Sequence, residues 1–296
     1  MGIAIVFAGQ GSQYSGMGRD LYDNSAAARE VFDVSGAADL CFSGTADELA
    51  QTLNTQPAML AMDLACAAAL TEIGINADFT AGFSLGEIAA LTYSGVFTLS
   101  DSFKLIRKRA EFMSECSNNG GGMAAILKLA DDKVEQLAEK YGVYPVNYNC
   151  PGQISVAGLS DELDAFCTAV TESGGRAIKL AVSGAFHSPY MSDAAEKLAD
   201  VVSSLEIKTA KIPVYANVTA QPYTNDIGGL LCKQVMSPVR WQQTIENMIA
   251  DGADTFIEVG PGKVLSGLIK RISKNVKIMN VEKYDDIETV ENNVKG

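Results

Sequence analysis

A five-residue turn, Gly82-Phe83-Ser84-Leu85-Gly86, joins a short apolar segment at 79–82 to a helix-forming segment at 87–93. The first segment predicts a buried strand and the second predicts a helix. Glycines on both sides of Ser84 let the chain turn sharply, which lifts the serine oxygen into a cleft. A strand, a sharp turn and a helix in this order are typical of α/β proteins, so the turn predicts both a fold class and a candidate nucleophile.

The rest of the chain fits a parallel α/β domain that carries an insertion. Its 296 residues are 47% hydrophobic, which is enough for a large core. Residues 2–8 predict a buried strand of a parallel sheet, and residues 123–183 follow the βαββαβ order of a ferredoxin-like unit. We therefore expect a large α/β-hydrolase-like domain with a parallel sheet at 1–122 and 184–296, interrupted by a small ferredoxin-like subdomain at 123–183.

Three further predictions concern individual helices. Apolar residues recur at helical spacing over 47–74, with Pro57 near the start of the long stretch at 58–73. Ser100-Asp101 predict the cap of a helix that runs to about Cys116. The tail from Lys283 is acidic and weakly periodic, so we expect it to fray.

Charge and composition exclude several classes of function. A net charge of −13 argues against a nucleic-acid surface, which needs cations to neutralise phosphates. The chain has one histidine and six cysteines without a Cys-x-x-Cys pair, so no metal or redox site is predicted. The sequence has no apolar run of about 20 residues and no secretion signal at its start, and we therefore expect a cytoplasmic protein.

Ser84 needs a base, because a serine hydroxyl is a poor nucleophile until its proton is removed. Imidazole is the side chain best suited to this task near neutral pH, and His187 is the only histidine in the chain. A five-residue glycine–serine pattern alone arises by chance, and a lone histidine is more often structural than catalytic. A strand and a helix around Ser84 favour a serine–histidine pair over both alternatives.

Two glycine-rich loops do not fit nucleotide binding. After Gly9 and Gly11, the third glycine of a dinucleotide fingerprint is replaced by Tyr14. The loop at Lys263 has isoleucine where a phosphate-binding loop needs its first glycine, and valine after the lysine. The amides of the loop at 9–11 instead point into the crevice at the end of a strand. Arg109 lies either on a solvated helix face or in the cleft, where its guanidinium would grip a carboxylate.

Taken together, the motifs resemble the malonyl-CoA:acyl-carrier-protein transacylase family. The resemblance covers nearly the whole chain and includes the following segments: FAGQGSQYSGMG, GFSLGEIAALTYSGV, RAEFM, NYNCPGQISVAG, GAFHS, QVMSPVRW and EVGPGKVLSGLIKRI. So many motifs in one order make coincidence implausible.

The resemblance implies a role for each candidate residue. Ser84 would form a malonyl ester, His187 would be its base, and the amides of Gln10 and Leu85 would form the oxyanion hole. Arg109 would bind the malonyl carboxylate. The substrates implied are malonyl-CoA and holo acyl carrier protein, with no metal, no redox cofactor and no nucleic-acid or membrane partner.

The same resemblance implies that the backbone carbonyl of Gln234 orients the histidine, so no acidic third member is needed. One departure is visible, because many members have histidine before the nucleophile where this chain has Phe83. That histidine is not the base, so the departure affects the tuning of the pocket and not the catalytic pair.

Three alternatives remain at this point. A free-standing acyltransferase of polyketide synthesis uses the same chemistry with another carrier protein. An acyl thioester hydrolase shares the acyl-enzyme but resolves it with water. A non-enzymatic carrier scaffold is disfavoured, because Ser84, His187 and Arg109 are all present. Carrier proteins are usually acidic, so a chain of net charge −13 needs a local basic surface, for which the candidates are Lys263, Lys270, Arg271 and Lys274. The alternative for these four residues is an ordinary solvated helix face.

Overall fold

The computed structural model describes residues 2–117, 120–182 and 184–295. Within these ranges the strands are β1 (Ile3–Phe7), β2 (Phe79–Gly82), β3 (Gly121–Leu127), β4 (Tyr144–Cys150), β5 (Gln153–Leu159), β6 (Arg176–Lys179), β7 (Val214–Tyr215), β8 (Thr255–Val259) and β9 (Lys277–Val281). The helices in the same ranges are α1 (Arg19–Asn24), α2 (Ala26–Ser35), α3 (Ala38–Ser43), α4 (Ala46–Ala50), α5 (Thr52–Glu72), α6 (Gly86–Tyr93), α7 (Leu99–Cys116), α8 (Asp131–Tyr141), α9 (Ser160–Glu172), α10 (Ser192–Ser203), α11 (Ile227–Gln234), α12 (Trp241–Ala250), α13 (Val264–Ile272) and α14 (Tyr284–Lys295). Among these described helices, none combines the length and the apolar character needed to cross a membrane.

The larger sheet is parallel, with the strand order β7-β2-β1-β8-β9. Phe7 at the end of β1 lies opposite Gly82 of β2 on one side and Val259 of β8 on the other. All residues of β1 and β8 are buried, as expected for parallel strands between two layers of helices. The carboxyl ends of these strands therefore meet at one edge, where α/β proteins bind their ligands.

Helices α5 and α7 position part of this edge. In α5, 15 of 21 residues are buried, so the helix is enclosed on most of its sides. Helix α7 packs against it with one apolar face, on which Phe103, Ile106 and Met113 are buried. Arg109 lies on the same buried face of α7, opposite Gln56 of α5.

The smaller sheet is antiparallel, with the strand order β4-β5-β3-β6. Helices α8 and α9 cover it, and Val134, Ile154 and Phe166 belong to their shared core. Val239 joins this sheet to the rest of the molecule, because its N–H donates to Val146 O at 2.8 Å and its carbonyl accepts from Tyr148 N at 2.9 Å. The chain thus has a mixed α/β fold with one parallel and one antiparallel sheet, which confirms the predicted fold class at this level.

The structure corrects three predictions about where elements begin. Strand β3 begins at Gly121, two residues earlier than predicted, because Gly121 pairs with Leu159. The helix predicted over 47–74 consists of α4 and α5, and α5 begins at Thr52, five residues before Pro57. The predicted Ser100-Asp101 cap was wrong. The N-cap of α7 is Thr98, whose Oγ1 accepts from Asp101 N at 3.1 Å.

The tail also differs from its prediction. Instead of fraying after Lys283, the chain forms α14, in which Ile287 and Val290 are buried. Two apolar residues three positions apart lie on one side of a helix, and they pack here against the main core. The N–H of Tyr284 also donates to Asp20 Oδ2 at 2.8 Å, which fixes the start of this helix.

Candidate active site

The turn around Ser84 is held by very close backbone contacts. Ser84 has a φ of 54°, in the left-handed region that few residues other than glycine adopt. A Cβ at Gly82 would lie 1.9 Å from the carbonyl of Gly86, and a Cβ at Gly86 would lie 2.4 Å from Phe7 O. Larger residues at these two positions would therefore break the turn. Asn217 fixes it from outside, since its Oδ1 accepts from Ser84 N at 2.8 Å and its Nδ2 donates to Gly82 O at 2.7 Å.

Ser84 and His187 form a hydrogen-bonded pair. Ser84 Oγ lies 2.7 Å from His187 Nε2, and His187 Nδ1 lies 2.9 Å from the backbone carbonyl oxygen of Gln234. Because a carbonyl oxygen only accepts, Nδ1 carries the proton and Nε2 is free to accept the proton of Ser84. His187 has a φ of 61° and donates its own N–H to Val235 O, so both side chains of the pair extend from strained, fixed backbone.

The environment of His187 favours its neutral form. The side chain is buried, and burial together with the positive charge of Arg109 lowers the pKa of His187 to about 4. The hydrogen bond to the carbonyl of Gln234 opposes this shift. A neutral imidazole that accepts from a serine hydroxyl is ready to act as a general base.

Arg109 is buried beside the nucleophile, with only 1% of its surface exposed. Its Nη1 donates to Gln56 Oε1 at 2.8 Å, and its Nη2 donates to Gln234 Oε1 at 2.9 Å and to Ser84 Oγ at 3.1 Å. Burial lowers the pKa of Arg109 to about 10, and the charge of Glu87 opposes this shift, so the guanidinium is cationic at neutral pH. Its Nε has no acceptor in the described part of the chain. The site therefore presents a buried cation with unused hydrogen-bonding capacity, which suits a carboxylate.

Leu85 is part of the turn itself, and Gln10 belongs to the neighbouring loop after β1. Leu85 immediately precedes α6, and Gly9 packs against Phe83, with a Cβ at Gly9 lying 3.0 Å from Phe83 O. Within the described residues, neither the Gln10 N–H nor the Leu85 N–H donates to a protein acceptor. Two unpaired N–H groups near a nucleophile are suited to binding an oxyanion.

A cavity of about 630 Å³ extends from the loop of Gln10 to Thr55 and to the segment 180–182 after β6. A larger cavity, of about 940 Å³, lies between α10 and α11 and is lined by neither Ser84 nor His187. Neither Ser84 nor His187 lines the cavity at Gln10 either, but this cavity borders the loop in which Gly9 packs against Phe83, the neighbour of Ser84. It is therefore the better candidate for the approach of a substrate.

Phe83 occupies the position before the nucleophile. Its ring packs edge-on against Trp241, with 5.5 Å between the ring centroids. It belongs to the periphery of a core cluster around β1, β8 and α12. The aromatic ring at this position thus packs behind the turn, and the hydrogen bond between Ser84 and His187 forms without a histidine there.

The sequence interpretation missed three residues of the site, namely Gln56, Glu87 and Asn217. Each is fully buried and hydrogen-bonded to a predicted residue or to the turn. Of the three, only Glu87 could have been found from its local sequence. It is a charged residue directly after the turn, in a segment that otherwise predicts a buried helix. Among the described residues, no group of three or more histidine, cysteine, aspartate or glutamate side chains is placed to hold a metal ion.

Several known proteins are similar to this chain in sequence and in fold. A sequence profile described as "Acyl transferase domain" matches residues 4–295. The malonyl CoA-acyl carrier protein transacylase of Bacillus subtilis (strain 168) is 43% identical over 304 residues, covering 98% of this chain and 95% of that protein. The crystal structure of the malonyl CoA-acyl carrier protein transacylase from Clostridium perfringens is 39% identical and superimposes with a TM-score of 0.96, covering 100% of this chain and 98% of that one.

A second solved structure holds a malonyl-transacylase in complex with its type II PKS acyl-carrier protein. It is 33% identical with a TM-score of 0.96, and the match covers 99% of this chain and 100% of that one. These matches cover nearly the whole chain, and they confirm the resemblance. The chain belongs to the acyl transferase family that includes these malonyl CoA-acyl carrier protein transacylases.

Proposed function

We propose that this enzyme transfers the malonyl group from malonyl-CoA to the phosphopantetheine thiol of acyl carrier protein, in fatty-acid synthesis. The observation that carries the proposal is the guanidinium of Arg109, buried 3.1 Å from the oxygen of Ser84. A cation at this distance selects an acyl group that has its own carboxylate. The names of the relatives identify the same acyl donor and acceptor.

In the first half-reaction, Ser84 Oγ attacks the thioester carbonyl while its proton moves to His187 Nε2. The N–H groups of Gln10 and Leu85 hold the resulting oxyanion. The intermediate then collapses, the carbon–sulfur bond breaks, and His187 returns the proton to the sulfur of coenzyme A as it leaves. A malonyl ester remains on Ser84, with its carboxylate held by Arg109.

In the second half-reaction, the carrier thiol takes the place of coenzyme A. His187 removes the thiol proton, the thiolate attacks the ester carbonyl, and Ser84 Oγ leaves with that proton. The carbonyl of Gln234, 2.9 Å from Nδ1, orients the imidazole and stabilises its cationic form in both halves. The proposed reaction uses no cofactor, and malonyl-CoA is a substrate.

The proposed domain organisation follows from the order of the two sheets. We assign residues 123–183 to an inserted ferredoxin-like subdomain, extended to Gly121 because β3 begins there, and the rest of 1–122 together with 184–296 to a large α/β-hydrolase-like acyltransferase domain. The βαββαβ order and the antiparallel strand order β4-β5-β3-β6 support the assignment of the subdomain. We also place the enzyme in the cytoplasm, where its proposed carrier substrate would be made.

The proposed docking surface for the carrier is basic. Between residues 260 and 281 the chain has five lysine or arginine residues and no acidic residue, in a protein of net charge −13. Lys263, Lys270 and Lys274 line one cavity of about 540 Å³. Arg271 instead donates to Gln153 Oε1 and Pro151 O at 2.5 and 3.0 Å, so its side chain holds the small sheet in place. The three lysines are thus the stronger candidates for contact with an acidic partner.

A second candidate acceptor is the carrier protein of polyketide synthesis. The relative solved in complex with a type II PKS acyl-carrier protein supports this candidate, because its whole length matches this chain. The chemistry at Ser84 would be the same, so only the rates with purified carriers of the two pathways separate them.

Labelling with radioactive malonyl-CoA tests the proposal. We expect wild-type enzyme to retain about one label on denaturation, and Ser84→Ala to retain none, because the ester forms on Ser84 Oγ. Ser94→Ala is the control, since Ser94 is a serine outside the site that is buried and whose hydroxyl donates to Leu91 O. Undiminished labelling of Ser84→Ala excludes the mechanism, and loss of label within minutes without any thiol identifies a hydrolase.

A further inference from the structure

Glu87 is a fully buried carboxylate that the proposed chemistry does not use. It lies in the first turn of α6, directly after the nucleophile turn. Its Oε1 accepts from Tyr223 OH at 2.5 Å and from Asn217 N at 3.0 Å, and its Oε2 accepts from Gln234 Nε2 at 2.8 Å. Burying a carboxylate is unfavourable unless hydrogen-bond donors surround it. A buried carboxylate for which the fold supplies three donors therefore requires an explanation.

The side-chain amide of Gln234 connects Glu87 to Arg109. Its Nε2 donates to Glu87 Oε2 and to Ser84 O at 2.6 Å, and its Oε1 accepts from Arg109 Nη2 at 2.9 Å. An amide has a donor end and an acceptor end, and Glu87 faces the donor end. Turning the amide over would place two donors, Gln234 Nε2 and Arg109 Nη2, against each other.

We propose that Glu87 is a positioning residue that selects the malonyl group, by fixing the side-chain amide of Gln234 so that Arg109 faces the nucleophile. The inference rests on the proposed function, because it concerns the same acyl selectivity. The backbone carbonyl of Gln234 orients His187, whereas its side chain, held by Glu87, orients the guanidinium. One residue thus links the base to the carboxylate-binding group.

This arrangement also balances charge without blocking the guanidinium. A carboxylate in direct contact with Arg109 would occupy the N–H groups that a malonyl carboxylate needs. With Gln234 between them, Glu87 supplies a compensating negative charge from one amide away and leaves Arg109 Nε without an acceptor in the described part of the chain. The charge of Glu87 raises the pKa of Arg109 against the effect of burial, while burial raises the pKa of Glu87 itself to about 7. The geometry of these hydrogen bonds, and not the pKa shifts, carries the inference.

Glu87→Gln tests the inference with a minimal change in shape. The two donors at Oε1, Tyr223 OH and Asn217 N, keep the oxygen of the introduced amide, so its NH₂ group faces Gln234 Nε2. Two donors then oppose each other, and the amide of Gln234 must turn away from Arg109. We expect kcat/KM for acylation by malonyl-CoA to fall about 10- to 100-fold, mainly through KM, and acetyl-CoA acylation to fall less than about threefold.

A double-mutant cycle separates this positioning role from a general structural one. In an Arg109→Ala background, Glu87→Gln should leave the malonyl-to-acetyl ratio unchanged, because the guanidinium through which it acts is absent. Glu258→Gln is the matched control. Glu258 is equally buried, and its carboxylate accepts from the backbone N–H groups of Leu265 and Ser266. This control should leave the ratio at the wild-type value.

Tyr223→Phe provides a second test if Glu87→Gln does not fold. It removes only one hydroxyl from Glu87 and should shift the malonyl-to-acetyl ratio in the same direction by a smaller factor. Equal losses for malonyl and acetyl, or additive effects of Glu87→Gln and Arg109→Ala on the ratio, would overturn the inference. Failure of the proposed function itself is distinguishable, because wild-type enzyme would then take up no malonyl label.

Discussion

His187 should remain an effective base at a pH at which an ordinary histidine is protonated. Burial and the nearby charge of Arg109 lower its pKa to about 4, from an ordinary value of 6.5. A general base works in its unprotonated form, so a lower pKa extends activity toward acid. At pH 5 this places roughly 90% of His187 in the neutral form, against roughly 3% for an unperturbed imidazole, a difference of about 30-fold in rate.

The assay is the rate of Ser84 acylation by labelled malonyl-CoA, measured by rapid quenching between pH 4 and pH 8. Its kcat/KM reports the ionisation of the free enzyme. Glu87 is a second group that titrates in this range, because burial raises its pKa to about 7 against the hydrogen bonds of Tyr223, Asn217 and Gln234. The Glu87→Gln variant lacks that carboxyl group, so any inflection that remains in its profile below pH 6 belongs to His187.

A fall in kcat/KM centred near pH 6.5 in both wild type and Glu87→Gln would refute the reasoning. It would mean that neither burial nor Arg109 controls the histidine. A second arm uses acetyl-CoA, whose transfer does not need the guanidinium. Because Arg109 lowers the pKa of His187, Arg109→Ala should move the acid limb of the acetyl profile to higher pH.

Three other predictions follow from individual contacts. Arg109→Ala should reduce malonyl acylation about 100-fold more than acetyl acylation, because two charged hydrogen bonds to the malonyl carboxylate are lost. Steady-state kinetics with both thioesters measure this difference. Equal losses for the two thioesters would count against Arg109 as the carboxylate-binding residue. Asp63 is fully buried with no partner for its carboxylate oxygens in the described part of the chain, and burial, followed by the charge of Glu258, raises its pKa. In the native protein Asp63 therefore keeps its proton at pH values at which the unfolded chain, with an ordinary pKa of 3.8, has lost it. The free energy of unfolding of the wild type therefore falls as pH rises from 3.8 to the raised pKa. Asp63→Asn removes this penalty and should raise the free energy of unfolding by about 1.4 kcal/mol for each unit by which the pKa of Asp63 is raised. Urea denaturation should therefore show a larger gain in stability at pH 7 than at pH 4. A gain that does not depend on pH would contradict the argument. Lys263→Glu combined with Lys270→Glu should slow transfer to an acidic carrier protein, more so at low salt, and an unchanged rate with the carrier would remove the basic surface from consideration.

Much of the fold followed from local patterns, and the misses have local causes. The strand at 79–82 lies where its sequence predicts it, and the helix after it begins at Gly86, one residue before the predicted start. The cap of α7 was missed because Thr98 and Ser100 are both capable of capping a helix, and the structure uses Thr98. The start of β3 was missed because Gly121 pairs with Leu159 of another strand, which a local pattern does not show. Helix α14 is ordered because Ile287 and Val290 find a core to pack against, which its weak periodicity alone does not indicate.

The sequence by itself determined the nucleophile turn, because Gly82, Ser84 and Gly86 lie within five residues and their backbone geometry is local. It also limited the base to one candidate, since His187 is the only imidazole. The tertiary structure alone decided which side chains surround this pair. Gln56, Glu87 and Asn217 meet the site through contacts between residues 53 to 147 positions apart, and such contacts depend on how whole helices and strands pack. The packed interior also determines the protonation of the site. The carbonyl of Gln234, from a distant part of the chain, places the proton of His187 on Nδ1. Burial and neighbouring charges then determine the pKa values of His187 and Arg109.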